Sequence, residues 1–182
     1  MKHTIKWIIL LWVTILSING CGGAKIPPPR WSFEKEAIKL NIKADDKLNL
    51  YDTIPHTLFM CIYQLRDPNV FNTYLQTTRG LTDLLTCNRF DSSVLGFKKL
   101  FIQPQGLETV VMDRAEGARY VALVAGYFAL SKENAVRLFE VPIVLETKGL
   151  INRKKIKKPA RLALDVELGS TGIKAVGVKS EF

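Results

Sequence analysis

Tyr120 to Ala129 is apolar at both strand parities and carries no charge. Tyr120, Ala122, Val124, Gly126 and Phe128 form one side, and Val121, Leu123, Ala125, Tyr127 and Ala129 the other. A strand with two apolar faces must be covered on both, so Arg119 to Ala129 is predicted as a central strand of a layered β structure. Thr57 to Leu65 has the same property, with Leu58, Met60 and Ile62 against Phe59, Cys61, Tyr63 and Leu65. An opposing sheet covers one of its faces; the segment that follows supplies the other cover. Asp67-Pro68-Asn69 opens a helical stretch with Val70, Phe71, Tyr74 and Leu75 at helical spacing, and Leu81, Leu84 and Leu85 follow Gly80. Residues 69–86 are read as a helical insert lying on the outer face of that strand.

The remaining strands are simpler. Ile38, Leu40 and Ile42 alternate with Lys39, Asn41 and Lys43, the period of a strand with one wet face. Val94 to Gln103 and Leu107 to Met112 form a hairpin about Gln103-Pro104-Gln105-Gly106. Asp113 to Ala118 is predicted as a short helical crossover, Ala135 to Leu145 as a sixth strand, Arg161 to Leu168 as a seventh, and Ile173 to Val178 as its hairpin partner. About eight strands with short links and no strand-helix-strand spacing predict an all-β, two-sheet antiparallel sandwich over residues 37–182.

The start of the chain constrains its surroundings. Lys2 and Lys6 precede a twelve-residue run from Trp7 to Ile18, and Ile18-Asn19-Gly20-Cys21 has the form of a lipobox despite the bulky Asn19. Spanning a bilayer takes about 20 apolar residues, so the run reads as a lipoprotein signal peptide, residues 1–20, removed before Cys21. The rival readings are an ordinary secretion signal and an uncleaved anchor. Acyl chains on Cys21 would hold the protein to a membrane, two or more such signals making the attachment stable. Gly22, in place of the aspartate that commonly retains bacterial lipoproteins in the inner membrane, favours the outer membrane. Residues 21–36, with Pro27-Pro28-Pro29, form the lipidated N-terminus and an extended tether, reaching up to roughly 30 Å over Gly22 to Arg30. The 162 residues left after cleavage suffice for one domain with its own core.

With Cys21 acylated, Cys61 and Cys87 remain, and an oxidising compartment favours a bridge between them. Two separately buried thiols are the alternative. The formal charge is +9, of which Lys2 and Lys6 supply two, and the sharpest cluster runs from Arg153 to Arg161. Behind an export signal, nucleic acid is a poor partner for it. A solvated loop and contact with anionic lipid head groups both fit.

Nothing supports an enzyme or a cofactor. His56 is the one histidine beyond the leader, so no histidine-based metal pair exists. Asp45-Asp46 invites a calcium reading, but calcium takes 6–8 oxygen ligands and no such loop surrounds it. No metal and no small-molecule substrate are expected.

Several stretches, in order, carry a resemblance: Cys21, Ala44-Asp45 through Leu48-Asn49, Ile62-Tyr63-Gln64-Leu65 with Phe71, Cys87 to Asp91, Phe101 to Gly106, Asp113 to Tyr127 and Arg137 to Pro142. The chain resembles the outer-membrane lipoprotein of the type VI secretion system, the TssJ (SciN) family. The resemblance implies a transthyretin-like sandwich with a helical insert. It also implies an anchor in the outer membrane facing the periplasm, and binding of the periplasmic C-terminal region of the inner-membrane protein TssM. The family's contact loop corresponds to Ala44–His56, which assigns partner binding to Asp45, Asp46, Leu48, Asn49 and Tyr51. For Leu48 and Tyr51 the other reading is that they pin the loop to its own core. A lipoprotein of another envelope machine and a ligand-binding transthyretin-like module are the alternatives, the latter requiring a concave apolar pocket.

Overall fold

A computed structural model describes residues 26–149 and 154–181; the signal peptide, Cys21 and Arg153 lie outside the described residues. The alternation at Ile38, Leu40 and Ile42 becomes a long strand whose apolar parity is buried and whose lysines face water. In chain order the described elements are β1 (Glu34–Ala44), β2 (Leu58–Leu65), α1 (Asn69–Tyr74), α2 (Thr78–Leu84), β3 (Val94–Ile102), β4 (Leu107–Arg114) and β5 (Tyr120–Ala125). They continue with α3 (Lys132–Ala135), β6 (Val136–Glu140), β7 (Ile143–Lys148), β8 (Lys154–Pro159), β9 (Arg161–Leu168) and β10 (Ile173–Glu181).

Two four-stranded sheets, ordered β10-β9-β1-β4 and β3-β2-β5-β6, form a sandwich, and β7-β8 makes a separate two-stranded ribbon. Ile38, Leu40, Ile42, Leu162, Leu164 and Val166 of the first sheet share one buried cluster with Met60, Ile62, Val121 and Leu123 of the second. Burying each such side chain contributes about 1.5–3 kcal/mol relative to exposure. The strand apolar on both faces is central as expected, since β5 lies between β2 and β6.

The outer face of β2 is covered by the insert, whose Phe71, Leu75, Leu81 and Leu84 are buried. The Tyr63 hydroxyl donates to the Leu84 carbonyl at 2.6 Å. Gly80 packs so closely that a Cβ there would meet the Tyr74 carbonyl oxygen at 2.1 Å. Cys61 and Cys87, 26 positions apart in sequence, form a disulfide with Cα atoms 5.6 Å apart. Closing a loop of that length in the unfolded chain stabilises the fold by about 3 kcal/mol.

Several expectations are corrected. The pairing is not wholly antiparallel, because β1 and β9 run parallel, Ile38 opposite Leu162 and Ala44 opposite Leu168. β1 starts at Glu34, the register shifting before Ile38 with Glu36 at φ 53°. Asp113 to Ala118 is not helical. The Gln64 amide donates to the Asp113 carbonyl and accepts from the Ala115 amide, both at 2.8 Å, which extends β4 to Arg114 before a turn at Gly117. The central strand ends at Ala125: the Gly126 amide still donates in register to the Phe59 carbonyl, and the Tyr127 amide then turns back to the Ala125 carbonyl at 3.1 Å. The predicted strand Ala135–Leu145 divides into the last residue of α3 and two strands: the Val141 amide still donates in register to the Arg119 carbonyl, and Pro142, which brings no N–H, ends the pairing with β5. The basic stretch, expected as a loop, is the strand β8, so the described strands number ten.

Candidate interaction site

β1 has two ends. At Ala44 the amide donates to Gly106, and the Asp45 amide to Leu168, which gathers the β3-β4 turn, the β9-β10 turn and the β1-β2 loop together. This loop, residues 45–57, is tightly held. Asp45 Oδ1 accepts from the Lys47 amide at 3.0 Å, the Leu50 amide donates to Ser170 at 2.8 Å, and the His56 amide to Leu48 at 3.0 Å. Tyr51 and Ile54 exchange backbone hydrogen bonds of 3.0 and 2.9 Å across Asp52 and Thr53, whose φ values are 47° and 65°. Two successive positive φ angles give a turn of the kind that closes a tight hairpin.

The five residues assigned to partner binding divide. Leu48 is fully buried in the sandwich core. Asn49 is buried as well, its Oδ1 accepting from the Phe128 amide at 3.0 Å and its Nδ2 donating to the Thr57 carbonyl at 3.4 Å. Neither presents surface to a partner; they hold the loop in shape. For Leu48 the pinning alternative is the one the packing supports, whereas Tyr51 is 58% exposed. Asp46 is exposed and Asp45 half-buried.

Asp45 forms an ion pair with Lys174 of β10. Hydrogen bonding from the neighbouring Asp46 side chain first, and then from Lys174, holds the Asp45 carboxyl well below the usual carboxylate range. The same partnership raises Lys174 above its ordinary value. The acidic pair thus faces an ammonium group, and among the described residues no group of three or more His, Cys, Asp and Glu side chains is placed to hold a metal.

Sequence reasoning missed Phe128, having placed it on a strand face. Tyr51 stacks on its ring at 4.6 Å and 24°, and His56 meets it edge-on at 5.0 Å. The signal was Gly126 followed by the Ser131 cap, which brackets 127–130 as a connection. Ile54 and Phe128 are 59% and 53% exposed, so Tyr51, Ile54, His56 and Phe128 form an aromatic ledge open to solvent. Such a ledge, amphipathic and already rigid, is suited to seat a protein surface with small loss of side-chain entropy.

The other end of β1 receives the tether. The Trp31 carbonyl accepts from the Gly117 amide at 2.7 Å, and the Trp31 ring lies 5.9 Å from the Arg114 guanidinium and 5.8 Å from that of Arg119. Arg114 is buried, ion-paired with Glu34 at 3.0 Å and donating to the Ser32 carbonyl at 3.1 Å. Burial pulls its pKa down while the Glu34 carboxylate opposes that. Eleven residues of β1 separate this end from the ledge, about 35 Å.

Residues 36–169 match the family model of the type VI secretion lipoproteins, described as VasD, EvfM and TssJ. No curated protein matches the chain. Among solved structures it is similar to the type VI lipoprotein TssJ1 of Pseudomonas aeruginosa, with 18% identity, a TM-score of 0.57, and 86% of this chain and 98% of that chain covered. It is similar to Serratia marcescens Lip, a membrane-bound component of the type VI secretion system, with 16% identity, a TM-score of 0.52, and 83% and 99% covered. A chain in the structure described as the TssM C-terminal domain (869–1107) from EAEC matches at 17% identity and a TM-score of 0.53, with 77% and 96% covered.

Proposed function

The chain belongs to the type VI secretion lipoprotein family, and from that premise we propose that it is an adaptor held in the outer membrane by acyl chains on Cys21. It faces the periplasm and binds the periplasmic C-terminal region of TssM with the β1-β2 loop end. The observation that carries this reading is the exposed ledge of Tyr51, Ile54, His56 and Phe128 at the end of β1 opposite the tether. An adaptor between two membranes needs its anchor and its grip on opposite sides, and β1 supplies that separation.

The contact would centre on Tyr51 and Phe128, with Asp46 at its rim. Interface energy concentrates in a few aromatic anchors, and rim charges affect the rate of encounter more than the affinity. Asp45, Leu48 and Asn49 act through the loop's shape. Replacing Tyr51 and Phe128 together with alanine should weaken binding to the purified TssM periplasmic region by at least about tenfold. Circular dichroism and thermal melting control for folding. Unchanged affinity in a folded double variant would overturn the site. For the anchor, Cys21→Ser should move the protein from the membrane fraction to the soluble periplasmic fraction; retention in the membrane would overturn it.

A further inference from the structure

The ribbon of β7 and β8 extends beyond both sheets, at the tether end. β6 passes into β7 through Pro142, β8 passes into β9 through Ala160, and the Ala160 amide donates to the Pro142 carbonyl at 2.8 Å at the base. Its register places Ile143, Leu145 and Thr147 on one face with Pro159, Lys157 and Lys155. Leu145 is 60% exposed and Ile143 also stands out in solvent. Lys148, Lys154, Lys155, Lys157 and Lys158 make no ion pair among the described residues, and Glu146, on the opposite face, is the ribbon's one described acid.

The tether runs alongside. Pro27, Pro28 and Arg30 line a cleft of about 490 Å³ together with Ile156, Lys157 and Lys158. Pro27 is six residues from Cys21, a reach of at most about 20 Å.

We propose that the β7-β8 ribbon docks on the anionic phospholipid head-group layer of the membrane that holds Cys21, its lysines on the phosphates and Leu145 and Ile143 at the acyl boundary. The proposal rests on the lipid-anchor reading of Cys21. A lysine extends an apolar stem while keeping its ammonium at the polar surface, so lysines beside exposed aliphatics match a head-group layer. The charge is of one sign and complementary to anionic lipid. Geometry argues against a protein in the same place: a domain of 100 residues has a radius of gyration near 13 Å, so one would not fit beneath a ribbon within about 20 Å of the lipid anchor. Docking there would also orient the sandwich, because β1 then carries the ledge away from the membrane.

The test uses the mature chain, residues 21–182, as a Cys21→Ser protein that carries no acyl chain and retains every described strand. It is sedimented with vesicles of phosphatidylcholine alone and of phosphatidylcholine containing phosphatidylglycerol. The protein should bind the second kind only, and added salt should release it. Lys155→Gln and Lys157→Gln should each weaken partitioning about fivefold, and about 25-fold together. Leu145→Ser should weaken it further. Equal behaviour on both vesicles, or full binding after both lysine substitutions, overturns the proposal. Capture by soluble polyglutamate without vesicle binding would assign the ribbon to an acidic protein and overturn it too. Binding of the TssM region is measured on the same proteins. Vesicle failure with that binding intact removes the ribbon proposal alone, and the converse removes the partner reading alone.

Discussion

At one end of β1 a thirteen-residue loop is sewn to two neighbouring turns; at the other, a proline tether and a two-stranded ribbon run past both sheets. Both ends expose apolar side chains. At the loop end they are rings in mutual contact, above a backbone fixed by Asn49 and two successive positive φ angles. At the ribbon end they are separate aliphatics among lysines that have no carboxylate partner among the described residues. A preorganised ledge favours one shape of partner because little ordering entropy remains to be lost. A row of like charges favours any surface of opposite sign, with an affinity that salt erodes. The contrast separates specific recognition at one end from general surface attachment at the other.

The largest expected effect is at Leu48. Truncation of this fully buried side chain to alanine should cost about 2–5 kcal/mol in urea unfolding, since it removes packed methyl groups and leaves a cavity. Affinity for the TssM region should fall with it, because the loop loses its foot. A loss under about 1 kcal/mol would show that the loop is not anchored as described. Next comes the independence of the ends. Leu145→Ser should change partner affinity less than about twofold and stability by less than about 0.5 kcal/mol, because Leu145 is exposed at the far end. A larger loss of affinity would merge the two surfaces into one.

The smallest effect concerns pH. The Asp45 carboxyl is depressed, so its contribution to the loop is present above its unfolded value near 3.9 and disappears only as pH falls through the lower folded value. Lys174 is raised, so its contribution is present below its unfolded value near 10.4 and disappears as pH rises through the higher folded value. The pair therefore stays charged across the neutral range. An Asp45→Asn protein should show a small loss of affinity that is the same at mildly acidic and mildly alkaline pH, read by calorimetric titration. A loss that grows across that range would mean another group controls the loop.

Strand periodicity in the sequence was sufficient for the layered architecture. Two apolar parities in β2 and β5 required cover on both faces, and the helical spacing of Phe71, Leu81 and Leu84 identified what covers one of them. Those are consequences of local repeat and of the cost of leaving apolar area in water, and neither needs knowledge of a distant residue. The parallel pairing of β1 with β9 was beyond reach, because alternation states which face is wet and not which neighbour lies alongside. So were the end of β5 at Ala125, where the Tyr127 amide turns back to the Ala125 carbonyl, and the strand made from the lysine-rich stretch, whose pairing with β7 a run of lysines does not announce.

The same division holds for the site. Composition and order placed Asp45, Asp46, Leu48, Asn49 and Tyr51 on one loop, and chemistry alone could not say which would face inward. Tertiary packing turned Leu48 and Asn49 into supports and brought Phe128, 77 positions along the chain, beneath Tyr51. A sequence encodes the need for burial residue by residue, but the choice of which side chains satisfy it together is made only when distant strands close on one another.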